Sequence, residues 1–181
     1  MNPEMFREYD IRGIAGRDMN EDDVIQIGRA VGTFLRRRGC RSLTVGRDCR
    51  TTSETYARRL TQGLRETGCD VADIGVCPTP VLYFSIRHFE KDGGVMVTAS
   101  HNPAEYNGFK LCQGLDSIHG QEIQQIRELI AAEDFESGGG SFEELETVTP
   151  FRRFVTGNIE ITRRLRVGVD AGNGTAGVVA V

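Results

Sequence analysis

Apolar positions along the chain recur in two alternating rhythms. From Asn20, a residue suited to capping a helix with Asp23 three places on, Val24, Ile27, Val31, Phe34 and Leu35 return at helical spacing as far as Gly39. Ser42 to Val45 then reads as a strand, Ser53 to Thr67 as a helix and Cys69 to Ile74 as a strand. Pro78 and Pro80 flank the start of a helix bearing Val81, Leu82, Phe84, Ile86 and Phe89. Gly94 to Ala99 is the next strand, and Phe109 to Cys112 follows too closely for a helical crossover, so it is expected to pair antiparallel. A helix with Ile123, Ile126, Leu129 and Ile130 runs to about Glu133. Strands alternating with helices predict an α/β fold, with a mixed, mostly parallel sheet covered by helices on both faces.

The pattern changes near residue 137. Ser137-Gly138-Gly139-Gly140-Ser141 reads as a short flexible connector, and Phe151 to Ile161 as a helix leaving the first unit. Leu165 to Asp170 reads as a new strand, followed by Gly172-Asn173-Gly174-Thr175-Ala176-Gly177. One strand and the first turn of a helix cannot bury their own faces. The expectation is a first domain over residues 1–150, then a connecting helix and the truncated start of a second, similar domain over 151–181.

Composition narrows the class. Of 181 residues 39% are apolar, enough for a packed core. Lys and Arg number 22 against 26 Asp and Glu, a formal charge of -4, which argues against nucleic acid while allowing an anionic ligand in a locally basic cleft. No apolar stretch is long enough to span a bilayer, and Met1 to Arg7 has no apolar signal region. The five cysteines are widely spaced without a C-x-x-C, the pattern of reduced thiols, so the cytoplasm is the expected compartment. Arg36, Arg37, Arg38 and Arg41 fall at a helix C-terminus, where they complement the dipole, which is the reading preferred over an anion site.

Chemistry concentrates in Val95 to Lys110. A β-rich run delivers Ser100 into a loop punctuated by Asn102-Pro103 and Asn107-Gly108, with Lys110 on the far side. Ligands of open α/β sheets sit outside the carboxyl ends of the strands, where Ser100 falls. A Ser100–His101 hydrolase is disfavoured: side chains of neighbours in an extended chain point to opposite faces. The G-x-S-x-G elbow is also absent, Thr98 and Asn102 holding its glycine positions. For His101 itself, ordering the loop and direct proton transfer stay equally open. Gly172-x-Gly174-x-x-Gly177 matches a dinucleotide fingerprint, but the acidic residue expected about twenty positions later has no place before Val181, so a tight turn is expected. Arg12, and Arg47 with Arg50 at a strand end, join Ser100 and Lys110 in a predicted basic mouth.

Glu8-Tyr9-Asp10-Ile11-Arg12-Gly13, Gly46-Arg47-Asp48-x-Arg50, Pro78-Thr79-Pro80, Thr98-Ala99-Ser100-His101-Asn102-Pro103 with Asn107-Gly108-Phe109-Lys110, and Val167 to Gly174 occur in that order. Together they resemble the bacterial phosphomannomutase/phosphoglucomutase branch of the α-D-phosphohexomutases. The resemblance implies a multidomain isomerase interconverting hexose 1-phosphate and hexose 6-phosphate, of mannose or glucose, through a hexose 1,6-bisphosphate. It implies that Ser100 is a phosphoserine whose phosphate also binds Mg2+, that Lys110 acts in proton transfer or charge stabilisation near the serine, and that His101 and Asn102 support the loop. Tyr9, Arg12 and Asn102 would contact the phosphosugar substrate, Arg12 also serving the catalytic charge balance. No D-x-D occurs in the chain, so the other metal ligands are expected beyond Val181, and the 181 residues alone are expected to be inactive. Phosphoglucosamine mutase and a non-catalytic phosphosugar-binding piece are the alternatives. Oligomeric state is not readable.

Overall fold

The computed structural model describes residues 1–180. Val181, the last residue of the expected second-domain start, lies outside them. Strands β1 (Ile11–Ile14), β2 (Ser42–Arg47), β3 (Asp70–Val76), β4 (Gly93–Val97), β5 (Tyr106–Gln113), β6 (Asp116–Ser117) and β7 (Phe142–Glu144) form one sheet in the order β1-β5-β4-β2-β3-β7, with β6 on β5. The sheet is mixed. The block β4-β2-β3-β7 is parallel throughout, while β5 runs antiparallel to β4, β1 and β6. The antiparallel return after the Ser100 loop is as the short connection required.

Helices cover both faces. On one side lie α1 (Glu21–Arg36), α2 (Ser53–Glu66) and α4 (Gln121–Ala131), on the other α3 (Thr79–His88) and α5 (Val148–Gly157). The α1 start is the expected one: Asn20 accepts from the backbone of Asp22 and Asp23, and Asp23 returns the bond to Asn20. Val24, Ile27, Val31, Phe34 and Leu35 are all buried against the sheet. Alternation along β4 sends Val95 and Val97 into that core and Met96 into the smaller one under α3. The arginines after α1 are engaged structurally. Arg36 donates to Gly68 O, Arg37 pairs with Asp134 and Glu136, and Arg38 lies over the Phe34 ring.

Several segments depart from the pattern reading: the helix expected over Phe151 to Ile161 is α5 over Val148–Gly157, across the expected 150/151 boundary, and β6 is not among the expected strands. Strand β1 escaped that reading, because its four residues are too few for a visible period; it is fixed instead by pairing with β5. The glycine-rich stretch is docked, not flexible. Gly138 and Gly140 donate to Glu66 O and Arg65 O, Ser141 donates to Asp70, and β7 follows beside β3. Gly140 has room there only because it has no side chain, since a Cβ would sit 1.8 Å from Cys69 O. Leu165 to Asp170 is not a strand. No neighbouring strand pairs with it among the described residues, and Leu165, Val167 and Val169 are exposed. The following glycines do make a tight turn, with Gly174 donating to Ala171 O and a short helix α6 (Ala176–Ala180) behind it. Among the described residues no helix is long and apolar enough to cross a membrane.

Candidate functional site

Ser100 stands at the carboxyl end of β4, exposed, with φ 55. That left-handed conformation is uncommon for a residue with a side chain and marks a backbone held by its surroundings. Two contacts hold it. Its N–H donates to Thr98 Oγ1 at 2.9 Å, and its carbonyl accepts from Arg50 Nη2 at 3.0 Å.

Arg50 and Asp48 come from the loop after β2. The Arg50 guanidinium also donates to the carbonyls of Asn102 (2.7 Å), Pro103 (2.6 Å) and Tyr106 (3.0 Å) and to Asp48 Oδ2 (3.1 Å). Asp48 in turn accepts from Arg50 N, Ser53 Oγ and Thr98 Oγ1. Asn107 is buried and ties the end of the loop to the start of α2. Its Nδ2 donates to Thr52 Oγ1 at 2.9 Å and Ser53 Oγ at 3.0 Å, and its Oδ1 accepts from Gly108 N. The sequence predicts that Arg47 and Arg50 join a basic mouth with Ser100 and Lys110. The structure corrects this: Arg50 is committed to the loop, and Arg47 pairs with Asp73 across the sheet at 3.3 Å. Asp48, Thr98 and Asn107 were missed as supports. The usable signal was the two-residue spacing of Asp48 to Arg50 and Thr98 to Ser100, at which short polar side chains bond the backbone two places on.

Of the residues singled out from sequence, Arg12, Asn102, His101 and Ser100 come together. Arg12 Nη1 donates to Asn102 Oδ1 at 2.6 Å and Nη2 to Asp10, while its buried Nε has no partner. His101 Nδ1 lies 3.2 Å from Ser100 Oγ. This contact overturns the geometric objection raised from sequence, because Ser100 is left-handed and the chain is not extended there. A Ser-His nucleophile still lacks its third member: no carboxylate orients the other nitrogen of His101 among the described residues. Lys110 sits one strand over. It pairs with Met96 in the β4–β5 register, and its ammonium lies 5.9 Å from the centre of the Tyr83 ring. Tyr9 is 69% exposed, its ring 6.4 Å from that of His119.

The loop forms one wall of a cleft of about 700 Å³, in which Asp48, Ser100, His101 and Asn102 face Asn173 and Thr175. Cys49 Sγ bridges the two sides, 3.3 Å from Asn173 O. Another cleft of about 700 Å³ lies between α2 and β7, where Arg47 pairs with Asp73, Arg59 with Glu21, and Arg65 donates to Gly140 O. Among the described residues no group of three His, Cys, Asp or Glu is placed to hold a metal ion. Burial pushes the Cys77 thiol up to about 12 and the Cys112 thiol up to about 11, so neither is a nucleophile at neutral pH.

Residues 3–137 match the family model described as phosphoglucomutase/phosphomannomutase, alpha/beta/alpha domain I. The phosphomannomutase/phosphoglucomutase of Pseudomonas aeruginosa PAO1 is 40% identical over 176 residues, covering 97% of this chain and 38% of that protein. The phosphoglucomutase of Neisseria meningitidis serogroup B is 34% identical over 179 residues, covering 98% and 39%. A crystal structure of a phosphoglucomutase/phosphomannomutase family protein from Burkholderia thailandensis superimposes with a TM-score of 0.94 at 38% identity, over 99% of this chain and 41% of that one. The chain thus spans about two fifths of the length of these relatives.

Proposed function

The chain belongs to the phosphoglucomutase/phosphomannomutase family, and we propose that it is the serine-bearing part of an isomerase that moves a phosphoryl group between the 1- and 6-oxygens of mannose or glucose. The observation that carries this reading is Ser100: an exposed hydroxyl at a strand's carboxyl end, on a backbone held left-handed and bonded on both sides, facing a cleft. Such preorganisation suits in-line attack, where position and electrostatics supply most of the catalysis.

In the proposed step a hexose 1,6-bisphosphate donates to Ser100. The Oγ–P bond forms as the P–O bond to the sugar breaks, and the hydroxyl proton ends on the released sugar oxygen. In this reading His101, whose Nδ1 lies 3.2 Å from Ser100 Oγ, relays that proton, and Lys110 offsets negative charge. Arg12 spends one N–H of Nη1 on Asn102 and one of Nη2 on Asp10, which leaves three unused, the buried Nε among them, and with Asn102 and Tyr9 it is assigned to the phosphosugar.

The expected Mg2+ would be held at the Ser100 phosphate and would neutralise charge in the transfer. The residues described here do not fit a complete site, since they offer no carboxylate or imidazole cluster for it. The same deficit underlies a further expectation, that residues 1–181 alone do not turn over substrate.

The test is to incubate the full-length protein with glucose 1,6-bisphosphate and map its peptides by mass spectrometry. Phosphate is expected on Ser100. Phosphate reproducibly elsewhere, with turnover intact in Ser100→Ala, overturns the assignment.

A further inference from the structure

We propose that Arg50, acting through Asp48 and Thr98, is the positioning residue that holds the Ser100 loop in its reactive shape, a role that rests on the functional reading above. A guanidinium has five N–H groups. In Arg50 all five are used: Nε on Asp48, Nη1 on the carbonyls of Pro103 and Tyr106, and Nη2 on those of Ser100 and Asn102. None is left for an anion, so Arg50 does not bind the phosphate although it lines the same cleft.

Its effect on the loop is specific. Both backbone groups of Ser100 lead back to one ion pair, the carbonyl directly through Arg50 and the N–H through Thr98 Oγ1, which itself donates to Asp48 at 2.7 Å. Asp48 is fixed from α2 by Ser53 Oγ. Four carbonyls between residues 100 and 106 are thus gathered on a side chain anchored just after β2, and a left-handed Ser100 persists because its surroundings over-determine it. Lysine cannot replace the fork. It carries similar charge but presents three N–H groups from a single point, too few for carbonyls spread over seven residues.

The experiment compares Arg50→Lys and Thr98→Val in the full-length protein with the unaltered protein. It follows three readouts: the rate at which Ser100 takes phosphate from saturating glucose 1,6-bisphosphate, the donor concentration giving half that rate, and amide hydrogen exchange across the chain. Arg50→Lys is expected to slow phosphorylation by about a hundredfold, the scale of an ångström's misplacement. The half-saturating concentration should stay within about threefold, since binding is not what the side chain supplies. Exchange of the Ser100 and Asn102 amides should quicken by about tenfold or more while the strands keep their protection. Thr98→Val, nearly isosteric, should move the same readouts the same way and decides the matter alone if Arg50→Lys does not fold. A half-saturating concentration raised about tenfold at unchanged maximal rate would make Arg50 an anion-binding residue and overturn the proposal. Unaltered loop exchange, or exchange quickened equally over the whole sheet, overturns it too. If the unaltered protein takes no phosphate on Ser100, the functional reading fails while the exchange data still judge the clamp.

Discussion

Arg12 and Asn102, ninety residues apart, meet where Nη1 donates to Oδ1 at 2.6 Å. The bond joins β1, at the edge of the sheet, to the loop carrying Ser100. Arg12 reaches it because β1 lies antiparallel on β5, with Arg12 opposite Gly108. Charge-assisted bonds of this kind are stronger than neutral ones.

A double-mutant cycle with Arg12→Met and Asn102→Ala, read by urea unfolding, should therefore give a coupling of about 1 kcal/mol. Additive effects would mean that the two side chains do not share a bond in solution.

Lys110 faces the α3 side of the sheet, its ammonium near Tyr83. If it stabilises charge or moves a proton beside Ser100, Lys110→Met in the full-length enzyme should lower kcat by about two to four decades. Unchanged kcat would make it a solvated lysine resting on an aromatic ring.

How much of the fold is legible in the sequence depends on where the order of each element resides. The helices α1 to α4 and strands β2 to β5 were legible because burial on one or both faces writes a period into the sequence. The short β1 and β7 were not, since pairing with β5 and β3 defines them and no periodicity does. Leu165 to Asp170 has the composition of a strand, but a strand exists only with a partner. At the site, the position of Ser100 was legible from the loop motif. The commitment of Arg50 to backbone carbonyls was not, because a surface arginine and a clamping one look alike until the loop closes around it.

The left-handed backbone at Ser100 makes a prediction that is independent of catalysis. Ser100→Ala and Ser100→Gly both lose the contact with His101 Nδ1, so that loss cancels between them. What remains is φ 55, which disfavours a Cβ and suits glycine. The glycine variant should unfold at higher urea, with a difference of about 1 kcal/mol after allowing for its freer unfolded chain. An alanine variant as stable as the glycine one would place Ser100 in ordinary backbone.

Asp18 gives the structure a specific acid sensitivity. Its carboxyl is lowered to about 2, first by the hydrogen bond from the Arg17 side chain and then by the Ile14 N–H, which closes the turn after β1. A carboxyl lowered on folding contributes stability above its ordinary value of 3.8, and that contribution is lost as pH falls through about 2. Stability curves of the unaltered chain and Asp18→Asn should accordingly differ most above 3.8 and converge toward 2. A gap that does not change with pH would show that Asp18 is not tuned by these partners.

The packing of α1 on α2 reverses a familiar substitution. Replacing a helical glycine by alanine ordinarily stabilises, by up to about 1 kcal/mol, because the chain loses less freedom on folding. Gly157, the last residue of α5, has open space around its missing Cβ, and Gly157→Ala should follow that rule. Gly63 should not. A Cβ there would lie 2.2 Å from Ile25 O and 2.9 Å from Gly28 Cα, and one on Gly28 would lie 2.5 Å from Leu60 O. These obstacles are backbone atoms of the facing helix, which move only if the helices separate. Overpacking of this kind costs about 1 to 3 kcal/mol, more than the propensity gain. The displacement also has somewhere to go, since the N-terminal turn of α2 carries Ser53, which holds Asp48 and Asn107 beneath the Ser100 loop. Gly63→Ala should therefore lower the unfolding midpoint in urea, and in the full-length protein it should slow phosphate transfer to Ser100 as well. A stabilised Gly63→Ala chain would mean that the two helices stand farther apart than their glycines allow.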